Sequence, residues 1–300
     1  MKKTVVFLIS LLLLTAGLSQ AETVTVEHKL GTVEVNQNPA RVVVFDYGML
    51  DSLDKLGIEV AGVVKASLPP YLEKFKAAEY VDVGTLFEPN FERIYELRPE
   101  VILITTRQAE QFDRLNRIAP TVFLEIDTEN YWDSFSANLT VLAEIFNKER
   151  QVREHLARLS EKAAALGAKG KESGLNALVV MANDGALSVY GANSRFGVIH
   201  QAFGFKPADP RIELANHGQN VSFEYLLGVD PDLMLIIDRA AIAGGSISAK
   251  QMMDNQLVKM TSAARNGRII YLNSQVWYTA AGGITATEMM MEDLEQVFAE

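Results

Sequence analysis

The chain has 300 residues, 48% of them hydrophobic, which is material for one large core or two medium ones. It has no cysteine, so neither a disulfide nor a cysteine-linked lipid can hold it in place. A formal net charge of -10 argues against nucleic acid or an anionic membrane as the main partner, and any anionic ligand would have to meet a locally basic pocket.

The N-terminus reads Met1-Lys2-Lys3, then an apolar run over 4–14, then Ser19-Gln20-Ala21 before Glu22. This is the pattern of a cleavable signal peptide, too short in its apolar part for a permanent anchor, with cleavage expected after Ala21. The expectation is therefore an exported, soluble protein of the periplasm.

Further along, Arg41-Val42-Val43-Val44-Phe45 and Val101-Ile102-Leu103-Ile104 are short β-branched runs of the kind that form parallel strands buried on both faces. Helical patterns fill 47–56 and 91–97, the second stopped at Arg98-Pro99, where proline disfavours a helical predecessor. From 133 to 166 there is no proline, and Leu139, Leu142, Ala143 and Phe146 recur at helical spacing. Asn147 is a point of interruption, leaving 148–166 as a span between two halves, and the glycines and lysines of 167–174 read as an exposed connector. Strands are expected at 177–181, 187–190, 233–237 and 268–272, and a closing helix at 285–298. The helix–turn–strand unit of the first half recurs in the second, where 221–227 leads through Asp230-Pro231-Asp232 into Leu233-Met234-Leu235-Ile236-Ile237. The expected fold is α/β, with two lobes built on central, mainly parallel sheets and joined by a long helix. The divisions are 1–21 signal peptide, 22–140 N-terminal lobe, 141–171 linking helix and 172–300 C-terminal lobe. In such folds a ligand lies where the loops at the strand ends converge.

Several common enzyme motifs are missing: there is no Gly-x-Ser-x-Gly elbow, no phosphate-binding Gly-x-x-x-x-Gly-Lys-Ser/Thr loop, no Gly-x-Gly-x-x-Gly and no cysteine nucleophile. The four histidines, His28, His155, His200 and His217, are scattered, which does not suit a carrier of bare zinc or manganese. Three arginines follow strand-like runs: Arg107 after 101–105, Arg195 in the loop after 187–190, and Arg239 after 233–238. One such residue alone is an ordinary surface charge; three in matching positions read as an anion pocket.

At this point the sequence resembles the periplasmic binding proteins of ABC importers that take ferric catecholate siderophores of the enterobactin and vibriobactin type, the class whose lobes are joined by a helix. The resemblance spans the mature chain. It rests on Gly84-Thr85, Glu88-Pro89-Asn90-Phe91-Glu92, Leu97-Arg98-Pro99-Glu100, Thr106-Arg107-Gln108-Ala109-Glu110, Ile118-Ala119-Pro120-Thr121, His217-Gly218, Arg239 and Gln275-Val276-Trp277-Tyr278. It implies that Arg107, Arg195 and Arg239 neutralise catecholate oxygens, for which the planar guanidinium fork is well suited. It implies that His217 and Tyr278 complete the coordination of iron(III) when the siderophore supplies only four oxygens, and that Trp277 packs catechol rings. Glu92 and Glu224, each opening a helix in its own lobe, match the glutamates that engage the inner-membrane permease, although a carboxylate in a first helical turn is also favourable by itself.

The implied protein is a monomer without a permanent cofactor, whose ferric iron arrives as part of the ligand, and it binds without turnover. A tetradentate bis-catecholate and a hexadentate tris-catecholate both remain open. Two rivals stand beside this reading. A cobalamin or haem carrier of the same fold would leave the three arginines unexplained, and a periplasmic siderophore-processing enzyme would lack a nucleophile motif.

Overall fold

The computed structural model describes residues 22–213, 215 and 217–299; the expected signal peptide lies outside them. Two β-branched runs at the start, β1 (Thr23–His28) and β2 (Gly31–Asn36), pair antiparallel from Thr23↔Asn36 to His28↔Gly31. The first lobe is then built on five strands: β3 (Val42–Val44), β4 (Gly62–Val63), β5 (Val81–Asp82), β6 (Val101–Ile104) and β7 (Thr121–Phe123). Their order is β5-β4-β3-β6-β7 and every pairing is parallel. All four side chains of β6 are fully buried, which is why its sequence shows no alternation.

The second lobe carries β8 (Asn176–Asn183), β9 (Ala186–Tyr190), β10 (Lys206–Pro207), β11 (Gln219–Val221), β12 (Leu233–Asp238) and β13 (Ile269–Tyr271). The order is β11-β9-β8-β12-β13, with β10 also on β8. Here β12 is parallel to β8 and β13, but β9 and β11 run antiparallel. The reversal is made at Asp184-Gly185, both at positive φ (48° and 98°), a two-residue turn that matches strand twist.

The helix-turn-strand unit is present twice. Helix Phe91–Leu97 is capped by the Asn90 side chain, ends in left-handed Arg98 and leads through Pro99 into β6. Helix Phe223–Val229 is capped by Ser222, ends in left-handed Asp230 and leads through Pro231 into β12.

Between the lobes, helix Tyr131–Phe146 ends at left-handed Asn147, and a 25-residue helix, Glu149–Ser173, follows. The interruption falls at the expected asparagine, but 167–174 is not an exposed connector. Helix continues to Ser173, with Gly167 and Gly170 buried and left-handed Gly174 closing it. The reason is close approach of two backbones: a Cβ on Gly170 would lie 2.1 Å from the Phe203 carbonyl oxygen. Glycine here serves packing, which outweighs its low helix propensity.

The chain ends in helix Ile284–Glu295, which packs on helix Tyr47–Lys55 of the first lobe as well as on the linking helix. Its first amides are capped from across the molecule. The carboxylate of Asp51 accepts from the N–H groups of Ala286 (2.7 Å) and Thr285 (3.2 Å), and the Ser52 hydroxyl accepts from Ile284 (3.3 Å). Asp51 is buried, and that burial pushes its carboxyl up to about 6 in spite of the amides that favour the anion.

Candidate functional site

The clearest concentration of charge forms around Tyr278. This residue sits after β13 in a single π-helical turn, Val276–Ala280, a rare geometry that is frequent at functional sites. Arg195 reaches it from the loop after β9, donating an Nη2 hydrogen bond to the Tyr278 carbonyl oxygen (2.6 Å) and lying 4.3 Å from the ring centroid. Arg239, immediately after β12, directs Nε toward the Tyr278 hydroxyl (3.4 Å) and donates from Nη1 to the Asn183 side-chain oxygen (3.0 Å).

The third arginine comes from the other lobe. Arg107 follows β6 in a short 3-10 turn, Thr106–Gln111, and its charge acts on both Arg195 and Tyr278. Its own partner is Asp46, with Nη1 3.6 Å from Oδ2. Asp46 also caps helix Tyr47–Lys55, accepting from the Met49 amide (3.0 Å). Burial raises the Asp46 carboxyl, while Arg107 and the amides of Met49 and Gly48 draw it back toward the anion. Among the described residues, neither Arg195 nor Arg239 has a carboxylate within 4.0 Å, so their guanidiniums face only neutral acceptors.

The electrostatics follow from this crowding. Burial alone would push the Tyr278 phenol up, but the Arg239 hydrogen bond and the charges of Arg195, Arg239 and Arg107 outweigh it and hold the phenol below the ordinary tyrosine value. Burial and the repulsion of Arg107 lower Arg195. Three like charges gathered around one phenol repel one another, and an anion placed among them relieves that cost.

Of the residues marked in the sequence, the structure thus brings together Arg107, Arg195, Arg239 and Tyr278. His217 stands exposed on the loop before β11 and is not hydrogen-bonded into this cluster. Its neighbour Gly218 lies against the Tyr190 ring, where a Cβ would fall 2.8 Å from the ring carbons. Trp277 is a correction. It is 1% exposed, and its indole N–H donates to Asp293 of the C-terminal helix (2.9 Å), so its ring belongs to the core and presents no face to a ligand. Adjacent residues in a helical turn point in different directions; Tyr278 took the outward one. Glu92 and Glu224 are both exposed in the first turns of the two equivalent helices.

Three residues escaped the sequence reading. Asp46 and Asn183 orient arginines, and their only signal was a polar residue at the end of an apolar strand. Tyr190 packs edge-on against Phe196 (4.8 Å, 80°) and shares the field of Arg195 and Tyr278; its signal was an aromatic residue closing a strand just before a glycine. A separate cavity of about 420 Å³, lined by Asp209, Arg211, Tyr225 and Gly228 among others, lies apart from this cluster. Among the described residues, no group of three or more His, Asp or Glu side chains could hold a metal ion, and no helix is long and apolar enough to cross a membrane.

The chain matches known proteins over most of its length. The model of the family described as periplasmic binding protein matches residues 42–276. The petrobactin-binding protein YclQ of Bacillus subtilis (strain 168) is 43% identical over 282 residues, covering 92% of this chain and 89% of the relative. Its crystal structure superposes with a TM-score of 0.91, covering 93% of this chain and 99% of that one. The ferric-anguibactin-binding protein FatB of Vibrio anguillarum (strain ATCC 68554 / 775) is 34% identical, covering 90% of this chain and 86% of the relative. The crystal structure of the periplasmic catecholate-siderophore binding protein VctP from Vibrio cholerae superposes with a TM-score of 0.88 at 37% identity, covering 92% of this chain and all of that one.

Proposed function

This chain belongs to the periplasmic binding protein family, and we propose that it is the siderophore-binding component of an iron-importing ABC transporter, taking a ferric catecholate complex between its lobes. The observation that carries the reading is the gathering of Arg107, Arg195 and Arg239 around Tyr278 from two different lobes. A ferric catecholate complex is a compact anion ringed by negatively polarised oxygens, and guanidinium groups hold such oxygens by paired, charge-assisted hydrogen bonds. The names of the relatives agree in kind: one binds petrobactin, one ferric anguibactin, one a catecholate siderophore.

In this reading the arginines supply charge and the tyrosine supplies a donor atom. Iron(III) is a hard ion that favours phenolate oxygen, so Tyr278 coordinates it directly where the siderophore leaves positions open, and the exposed His217 offers an imidazole nitrogen for the remaining one. The ligand is released unchanged, with no catalytic step. Glu92 and Glu224, one on each lobe at equivalent places in a repeated unit, are the contacts to the permease. The protein acts as a monomer in the periplasm, exported by a cleavable signal peptide.

The direct test is quenching of intrinsic fluorescence, titrated in parallel with ferric bis-catecholate, ferric tris-catecholate, ferric hydroxamate and cobalamin. Saturable quenching by a catecholate complex alone is the expected result; indifference to both catecholates sinks the reading. Tyr278→Phe should abolish the visible phenolate-to-iron charge-transfer band of the complex. Glu92→Ala with Glu224→Ala should stop uptake and leave ligand affinity intact.

A further inference from the structure

The three arginines of the cluster are not held alike, and the difference concerns ligand charge. Arg195 and Arg239 are fastened by neutral groups: the Tyr278 carbonyl and hydroxyl and the Asn183 side-chain oxygen. Arg107 alone is paired with a carboxylate, Asp46 Oδ2 at 3.6 Å. Asp46 is not a free surface acid that can swing away. Its other oxygen caps helix Tyr47–Lys55 at the Met49 amide, and only 14% of its side chain is exposed. Burial raises this carboxyl, but the Arg107 guanidinium and the capping amides favour its anion, and in that form three cations less one anion leave two net positive charges beside the anion site.

We infer that Asp46 is a specificity-determining residue that selects ferric catecholate complexes of low charge over highly charged ones. The inference rests on the proposed function and deepens it. Two catecholates around iron(III) give a complex of charge -1, because four negative oxygens meet three positive charges. Three catecholates give -3. Repulsion from a fixed carboxylate grows in proportion to ligand charge, so Asp46 disfavours the trianion three times as strongly as the monoanion. The attraction of the arginines also favours the trianion, and Asp46 offsets part of that advantage. A site built only for the highest charge would have left Arg107 with a neutral partner, as its two counterparts are. Selection by an unfavourable contact with the wrong ligand is an ordinary route to specificity.

Asp46→Asn tests this cleanly, because asparagine caps helices as well as aspartate and removes only the charge. Asp46→Ser is the second variant, also a good cap but of different shape. The full-length mature protein and both variants are titrated with a tetradentate ferric bis-catecholate and a hexadentate ferric tris-catecholate at low and high salt. The expected result is a rise of about tenfold or more in the preference for the tris-catecholate in both variants, shrinking as salt is added. An unchanged ratio, or a shift toward the bis-catecholate, overturns the inference while leaving the proposed function standing. If the wild-type protein binds neither complex, the proposed function itself fails. If only Asp46→Ser shifts the ratio, the effect is one of shape rather than charge, and the inference is overturned as well.

Discussion

The two lobes repeat one frame and use it differently. Each contains a capped seven-residue helix with Phe at its first position and Glu at its second, a left-handed residue, a proline, an acid and a buried apolar strand: 90–104 in the first lobe, 222–236 in the second. Around that shared unit the sheets diverge. The first lobe is all parallel; the second turns back at Asp184-Gly185 and adds antiparallel β9 and β11. That departure creates the loop bearing Arg195 and the loop bearing His217, neither of which has a counterpart in the first lobe. The two repeated strands thus lead to Arg107 and Arg239 at comparable places, and the unrepeated part adds the loops of Arg195 and His217, all on connections that a rigid scaffold positions.

The comparison can be broken at several depths. The largest effect is expected where the linking helix meets the second lobe. Gly170→Ala drives a Cβ to 2.1 Å from the Phe203 carbonyl, in a place where only backbone can move, and should cost about 3 kcal/mol in chemical denaturation. If it costs little, the helix is not seated on that lobe as firmly as on its own neighbours.

A similar magnitude, visible only as a pH dependence, is expected where the last helix meets the first lobe. The carboxyl of Asp51 is raised from an ordinary 3.8 to about 6. Below about pH 4 both the folded and unfolded chains hold its proton. Between there and pH 6 the folded chain holds more protons than the unfolded one, so stability falls as pH rises, by about 3 kcal/mol over the whole interval. Asp51→Asn should lack this slope, which melting temperatures of both proteins from pH 4 to 7 would show.

Next come the arginines. Arg195→Ala removes a guanidinium with no competing carboxylate and frees the Tyr278 carbonyl, so it should weaken ferric catecholate binding about 100-fold; Arg107→Ala, whose charge is already shared with Asp46, should weaken it only about tenfold. Equal losses would mean that the lobes contribute alike. The smallest effect is on Trp277. Trp277→Phe loses the hydrogen bond to Asp293 and should cost about 1 to 2 kcal/mol of stability with ligand affinity unchanged, whereas a loss of affinity would return the indole to the site.

Much of this was legible in the chain. The runs at 101–104 and 233–237 became interior strands because a continuous apolar run in a sheet is buried on both faces. Arg98-Pro99 and Asp230-Pro231 marked both helix ends, and Asn147 marked the break before the linking helix. The hairpin has a local signal too, Asp184-Gly185 between two strands, but each strand taken alone also fits the mainly parallel sheet expected from the sequence. By contrast 167–174 misleads: glycine in a helix normally signals its end, and only contact with Phe203, 33 positions further along the chain, explains why the helix continues.

At the site, the sequence determined by itself which residue types were available: three arginines and a tyrosine close to strand ends, in a chain of net negative charge. It could not decide which of two adjacent aromatics faces outward, and the fold sent Trp277 to Asp293 and Tyr278 to the arginines. Nor could it assign partners, because the pairing of Arg107 with Asp46, and the approach of Arg107 to Arg195 and Tyr278, join positions far apart in the chain. Local propensity and apolar periodicity act over a few residues and are written in the sequence order. The balance of charge at a cleft depends on distances between remote side chains, and only the packed tertiary structure sets those.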